Sequence, residues 1–274
     1  MLTRLPLLQV VALLIAAPAL AAAGAGLLAM RGGQTRPQAA SATVPTLVPR
    51  VIQTYPHDRR AFTQGLVLRD GVLYESTGLV GQSSLRIVNP QTGQVLRQVQ
   101  VSAPYFAEGL ADVGPRLLQL TWQHGLAFVY DRQTLARTGE FTYAGEGWGL
   151  CHSGRALYMS DGSATLTERD PQSFAVRRTI RVLQDGAPVE RLNELECVGT
   201  DVYANVWTTD TIVRIEAATG RVTARIDATG LLGPMDRMGV DVLNGIAHDP
   251  SDGTFLITGK LWPRMFRVRF EPRR

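Results

Sequence analysis

The chain has 274 residues, with 28 basic against 24 acidic side chains and a formal charge of +4. Four of the cations (Arg4, Arg31, Arg36, Arg50) lie in an acid-free first fifty residues, which leaves residues 51–274 with 24 of each sign and no basic run. A neutral body of this kind argues against a nucleic-acid surface, which needs clustered cations facing phosphates.

Along the chain, no charge occurs from Leu5 to Met30, a stretch of 26 residues preceded by Arg4. It exceeds the ~7–15 apolar residues of a signal sequence and reaches the ~20 needed to cross a bilayer. Residues 1–31 are therefore expected to be a signal peptide or an N-terminal membrane anchor. Ala19-Leu20-Ala21 suits cleavage and Arg31 suits an anchor. Both imply export to the periplasm or the cell exterior, in the second case attached to the inner membrane. Residues 32–48, rich in Gly, Ala, Ser, Thr and Pro, have too little apolar surface to pack and are expected to form a flexible linker. An exported chain can oxidise its two cysteines, Cys151 and Cys197; a bridge and two buried thiols both fit the sequence.

From residue 49 onward, short runs of Val, Leu, Ile, Tyr and Phe alternate with polar residues and are broken by Asp-Gly, Thr-Gly, Asn-Pro and Asp-Pro turns. Leu66–Leu68, Val72–Tyr74, Leu85–Val88 and Val95-Leu96 read as four strands. The order recurs through Leu110, Leu117-Leu118, Ala127–Tyr130 and Arg137–Phe141, and again through Leu150, Leu157-Tyr158, Leu166 and Val176–Ile180. A fourth copy runs through Leu195, Val202-Tyr203, Ile212–Ile215 and Val222–Ile226, and a shorter fifth from Ile246 to Phe270. Five units of about forty residues predict an all-β fold over residues 49–274, a five-bladed β-propeller of four-stranded antiparallel blades. The missing strand of the last unit is assigned to residues 49–55, so that an N-terminal strand closes the ring.

Aligning the units on Gly65, Gly109, Gly149, Glu194 and Gly245 puts Gln64, Glu108, Trp148, Asn193 and Asn244 at the preceding position. Further along, Gly78, Trp122, Gly162, Trp207 and Lys260 also align. Equivalent positions of a propeller form rings around its axis, so one mouth of the channel would gather a carboxylate, an ammonium, carboxamides and three of the four tryptophans. Lys260 is the single lysine beside 27 arginines. Codon bias accounts for the arginines; an ammonium retained at this ring is a compact cation whose proton affinity can be tuned.

The motifs Phe62-Thr-Gln-Gly-Leu66, Tyr74-Glu-Ser-Thr-Gly78, Phe106-Ala-Glu-Gly-Leu110, Gly145-Glu-Gly-Trp-Gly-Leu150, Leu192-Asn-Glu-Leu-Glu196, Asn205-Val-Trp207 and Leu243-Asn-Gly-Ile246 closely resemble those of the plant and bacterial glutaminyl-peptide cyclotransferase family. The resemblance covers roughly residues 50–270. It implies a five-bladed propeller and the conversion of N-terminal glutamine of peptides or proteins to pyroglutamate with release of ammonia. It also implies a site made of Phe62, Gln64, Phe106, Glu108, Trp122, Trp148, Asn193, Trp207 and Lys260, with Glu108 as acid/base. From side-chain chemistry, Glu108 would take the α-amine proton and deliver it to the leaving nitrogen. Lys260 and Asn193 would hold the amide oxygen as it becomes negative, and Gln64 and the aromatic residues would bind and orient the substrate.

No cofactor is required by this chemistry, though a structural cation in the central channel is compatible with it. The four histidines show no i, i+2 or i, i+4 pairing and read as turn or surface residues rather than zinc ligands. The expected partners are glutamine-initiated peptides met by a monomer, with no nucleic acid and with membrane attachment only through the N-terminal segment. Two rivals remain at this stage. One is a non-catalytic exported propeller that binds a peptide or protein; the other is a lactonase-like propeller hydrolase, which would want several axial carboxylates around a divalent ion.

Overall fold

The computed structural model describes residues 43–273. The expected signal or anchor segment, and the linker up to residue 42, lie outside the described residues. The described chain is all-β apart from one 3-10 turn, Pro234–Arg237.

Strand β1 (Thr46–Pro56) comes first. Four repeats follow: β2 to β5 (Thr63–Arg69, Val72–Thr77, Ser84–Val88, Val95–Gln100), β6 to β9 (Ala107–Val113, Arg116–Thr121, Leu126–Asp131, Arg137–Thr142), β10 to β13 (Leu150–His152, Leu157–Ser160, Thr165–Arg169, Val176–Arg181) and, after a small hairpin of β14 (Leu183–Gln184) and β15 (Ala187–Pro188), β16 to β19 (Leu192–Val198, Asp201–Val206, Thr211–Glu216, Arg221–Asp227). The last three strands are β20 to β22 (Leu243–Asp249, Thr254–Gly259, Arg264–Pro272). The first three repeats are separate four-stranded antiparallel sheets. The remaining strands join in one ten-stranded sheet, because β1 pairs antiparallel with β22 from Leu47 to Pro56 and meets β19 in parallel at Thr46 and Leu47. The N-terminal strand thus serves as the fourth strand beside β20 to β22. It begins at Thr46, so Thr46–Val48 belong to the sheet rather than to the expected linker.

In the second repeat the first two strands are almost wholly buried, while its last strand, β9, is mostly exposed, and β5 and β13 of the neighbouring repeats are exposed likewise. This gradient follows from the packing of the first strands, which touch in the order β2, β6, β10, β16, β20 and back to β2. Five apolar clusters among the described residues lie between consecutive repeats: Leu85 with Phe128, Leu118 with Leu157, Leu166 with Val213, Ile212 with Ile257, and Leu256 with Leu73. The close approach needs glycine. A Cβ on Gly149 would sit 2.0 Å from the carbonyl oxygen of Asn193, and one on Gly109 would sit 2.5 Å from the amide nitrogen of Leu150.

The β14–β15 hairpin is absent from the repeat pattern; it turns at Asp185-Gly186, both with positive φ, as a two-residue Asp-Gly turn requires. Cys151 on β10 and Cys197 on β16 form a disulfide across neighbouring first strands, which decides between the two states open in the sequence.

Candidate active site

The first strands carry a shared irregularity. In β2, β6, β16 and β20 the pairing register slips between Thr63 and Gly65, Ala107 and Leu110, Leu192 and Leu195, and Leu243 and Ile246. A bulge re-aims the extra side chain, and the residues inside these bulges include Gln64, Glu108, Asn193 and Asn244. Strict alternation would send these side chains into the sheet packing; the bulge turns four equivalent positions toward one end of the axis.

At that end Phe62, Gln64, Phe106, Glu108, Trp122, Trp148, Asn193, Trp207 and Lys260 line one mostly apolar cavity of about 260 Å³, together with Asp241. All nine residues singled out in the sequence are therefore neighbours. Asn244 lies behind the cavity, donating from Nδ2 to Gln64 Oε1 at 3.2 Å and to the Thr63 carbonyl at 2.9 Å. Gln64 Nε2 in turn donates to Glu108 Oε1 at 3.0 Å. This relay fixes the Gln64 carboxamide with its nitrogen toward Glu108.

The aromatic wall follows from the second ring of aligned positions. Gly78 and Gly162 are small because neighbours occupy their space: an added Cβ would meet the Phe106 ring at 2.3 Å and the Trp148 ring at 2.7 Å. Phe62 packs edge-on against Phe106 at 6.0 Å, Phe106 against Trp122 at 5.8 Å, and Trp148 against Trp207 at 5.4 Å. Trp122 and Trp207 are each 37% exposed and form the rim.

Both ionisable groups at the cavity floor are 5% exposed. Burial holds the Glu108 carboxyl well above the ordinary carboxylate range; the Lys260 ammonium opposes that rise and the Glu146 carboxylate adds to it. Burial lowers Lys260, against the pull of Glu108 and Asp241. The Lys260 Nζ sits 4.9 Å from the centre of the Phe62 ring. Asn193 Oδ1 is buried with no hydrogen-bond partner among the described residues. An unpaired buried amide oxygen costs stability and is free to meet a ligand N–H.

Two residues of this region, Asp241 and Trp262, escaped the sequence, and the role of a third, Glu146, did too. Asp241 lies in the loop after β19, where the repeats offer nothing to align; its amide donates to the Lys260 carbonyl at 2.9 Å, and the Lys260 amide donates to the carbonyl of the next residue, Val242, at 2.9 Å. Trp262 supports that loop, donating from Nε1 to the Asp241 carbonyl at 2.9 Å. Glu146 accepts from Trp122 Nε1 at 2.7 Å, Trp148 Nε1 at 2.9 Å and Gln123 Nε2 at 3.0 Å; its motif, with Trp148, was visible, but Trp122 and Gln123 come from more than twenty residues earlier in the chain.

Next to Asn193 on β16, the buried Glu194 occupies the glycine position of its repeat and reaches across to accept the amides of Leu66 at 3.2 Å and Ile246 at 2.9 Å. Its oxygens are thereby used by the backbone. Among the described residues no group of three or more His, Cys, Asp or Glu is arranged to hold a metal ion. His57 departs from its expected turn or surface role: it is buried, with Nε2 2.9 Å from Glu75 Oε1 and Nδ1 2.7 Å from the Trp262 carbonyl.

A buried carboxyl with raised proton affinity and a buried amine on one aromatic-walled cavity are the marks of an enzyme site, here on an all-β scaffold. Residues 24–270 match the family model described as glutamine cyclotransferase. The chain is 41% identical over 227 residues to the glutaminyl-peptide cyclotransferase of Arabidopsis thaliana, covering 81% of this chain and 71% of the relative. It superposes on the crystal structure of Myxococcus xanthus glutaminyl cyclase with a TM-score of 0.78 and 41% identity, over 84% of this chain and 99% of that one. The chain belongs to the glutamine cyclotransferase family.

Proposed function

We propose how this chain carries out the reaction of its family, the conversion of an N-terminal glutamine to pyroglutamate with release of ammonia. The α-amine attacks the γ-carboxamide carbon, a five-membered ring forms through a tetrahedral oxyanion, and the C–N bond to the amide nitrogen breaks. Glu108 takes a proton from the attacking amine and gives it to the departing NH₂, so the carboxyl ends each turnover as it began. An N-terminal amine has a pKa near ~7.7–8.0, close enough to neutrality that a carboxyl raised by burial is a matched partner. Lys260 and the Asn193 carboxamide hold the amide group: the ammonium meets the developing oxyanion, and Asn193 Oδ1 accepts an N–H of the substrate. Gln64, oriented by Asn244, sets the direction of the Glu108 carboxyl. The aromatic wall excludes water and keeps the short side chain folded for attack.

The observation that carries this assignment is Glu108 itself, buried in a cavity of side-chain size with one hydrogen bond, from Gln64. The ring order of the first strands and the use of β1 as the fourth strand beside β22 support a five-bladed propeller closed by its N-terminal strand. The disulfide fits an oxidising compartment and hence export, with glutamine-initiated peptides as substrates of a monomeric enzyme. Incubating the purified chain with a glutamine-initiated peptide and measuring ammonia tests the reaction. Ammonia release that survives a chelator supports the metal-free mechanism; binding without ammonia would turn the assignment toward a peptide-binding module.

A further inference from the structure

The aromatic wall consists of two packed groups, Phe62–Phe106–Trp122 from the first two repeats and Trp148–Trp207 from the third and fourth. The Glu146 carboxylate joins them. It takes the Trp122 indole N–H at 2.7 Å and the Trp148 indole N–H at 2.9 Å on the same oxygen, Oε2, while Oε1 accepts from Gln123. Indole is a donor only, so each ring needs an acceptor at a fixed place, and bonds to an ionised acceptor are the strong kind.

The local sequence is shaped to put the carboxylate there. Gly145 turns the loop with φ +83°. Gly147 lies against Tyr143, whose hydroxyl oxygen would be 2.3 Å from an added Cβ, and its amide donates to the Trp122 carbonyl at 2.9 Å. Glu146 is therefore held between two glycines that fix the backbone on both sides.

We propose that Glu146 is a positioning residue of the reaction: by bridging Trp122 and Trp148 across the boundary between repeats, it makes the two aromatic groups one rigid wall and fixes a negative charge behind the indoles that line the Glu108 cavity. The proposal rests on the assignment of this cavity as the glutamine site. Glu108 is hydrogen-bonded by Gln64 and feels the charges of Lys260 and Glu146; Tyr143 in turn feels Glu108, and Asp241 acts on Lys260. Among them Glu146 is the anion that raises the proton affinity of Glu108, and its own three donors keep it ionised against the effect of burial.

Two variants separate the bridge from the charge. Glu146→Ala removes both; losing two hydrogen bonds to a charged acceptor is expected to raise KM for a glutamine peptide about tenfold, with a smaller change in kcat. Glu146→Gln keeps an amide oxygen able to accept both indoles, so KM is expected to stay near the wild-type value. Without the charge, the acidic limb of its kcat/KM profile moves to lower pH. Indole emission of the free protein is expected to shift for Glu146→Ala and not for Glu146→Gln. A Glu146→Ala protein with wild-type KM and emission would overturn the bridge, and an unmoved acidic limb in Glu146→Gln would overturn the charge role. Emission needs no substrate, so it decides the bridge even if the wild-type chain released no ammonia, a result that would instead remove the assignment of the site.

Discussion

Thr63 and Gln64 are consecutive on β2, and each donates to a different buried glutamate. Thr63 Oγ1 gives its hydrogen bond to Glu75 at 2.8 Å, in a network where His57 lies at 2.9 Å and Arg86 at 3.7 Å. Gln64 gives its amide hydrogen bond to Glu108 at 3.0 Å, in the aromatic cavity. Burial would raise both carboxyls, yet Glu75 falls below the ordinary carboxylate range because the His57 charge and hydrogen bond, with Arg86 and Thr63, outweigh it. Glu108 has one neutral donor, a lysine that makes no ion pair with it within 4.0 Å, and a nearby anion, and it rises. Two glutamates in similarly dry surroundings are thus set apart by their partners: one is an ionised structural anchor, and the other has the raised proton affinity that its proposed role as proton carrier requires.

That contrast can be broken most directly at Glu108. Glu108→Gln keeps the shape and the Gln64 contact but cannot move a proton, so ammonia release is expected to fall about 10²–10⁴-fold with the thermal midpoint little changed. Near-wild-type turnover would end the acid/base assignment. At the other glutamate the signature reverses. His57→Ala leaves Glu75 ionised and buried with Arg86 as its remaining cation, which is expected to cost about 3 kcal/mol of stability; denaturant unfolding measures it, and kcat of the folded protein should stay within ~10-fold of wild type.

A further comparison concerns the lysine. Removing a preorganised donor to an oxyanion typically costs about 10²–10³ in rate, so Lys260→Met is expected to lose that much in kcat. Lys260→Arg sharpens the point, because restored kinetics would make the residue a generic cation rather than a compact one.

The smallest expected effect is on the pH dependence of stability. Burial lowers His57, but the Glu75 charge and hydrogen bond and the Trp262 carbonyl outweigh it, so its folded value lies above the ordinary 6.5. Its contribution is complete below the unfolded value and is lost as pH rises through the folded one. Glu75, lowered from 4.5, contributes above its unfolded value and loses that contribution as pH falls through its folded one. Thermal midpoints of the wild type should therefore decline on both sides of a plateau, and His57→Ala should lack the alkaline decline.

How far the sequence reached can be seen residue by residue. Strand alternation, turn dipeptides and the forty-residue spacing made the repeats legible, since hydrophobic periodicity is written in the chain itself. Aligned repeats then exposed Gln64, Glu108, Trp148, Asn193, Trp122, Trp207 and Lys260, because a functional residue departs from the packing residue its sister repeats carry. Phe62 and Phe106 came from family resemblance, as an aromatic beside a strand reads as core. Asp241 was missed because the loop after β19 has no counterpart among the repeats, and Trp262, in the β21–β22 turn, because what it supports is that same loop. Glu146 was read as part of a motif with Trp148, but its second indole, Trp122, is 24 residues back along the chain, and only folding brings the two together.

By itself the sequence determined the recurring four-strand unit, though not the added β14–β15 hairpin, together with the neutral body and the residue types gathered at one aligned position. The tertiary structure decided which way those residues face and what their charges become. Register slips in four first strands turn the site residues toward the axis, and a slip shows only when two strands are paired. The different fates of Glu75 and Glu108 likewise come from partners contributed by other strands and loops. Proton affinity depends on solvent and charge within a few ångströms, which folding sets and sequence order does not.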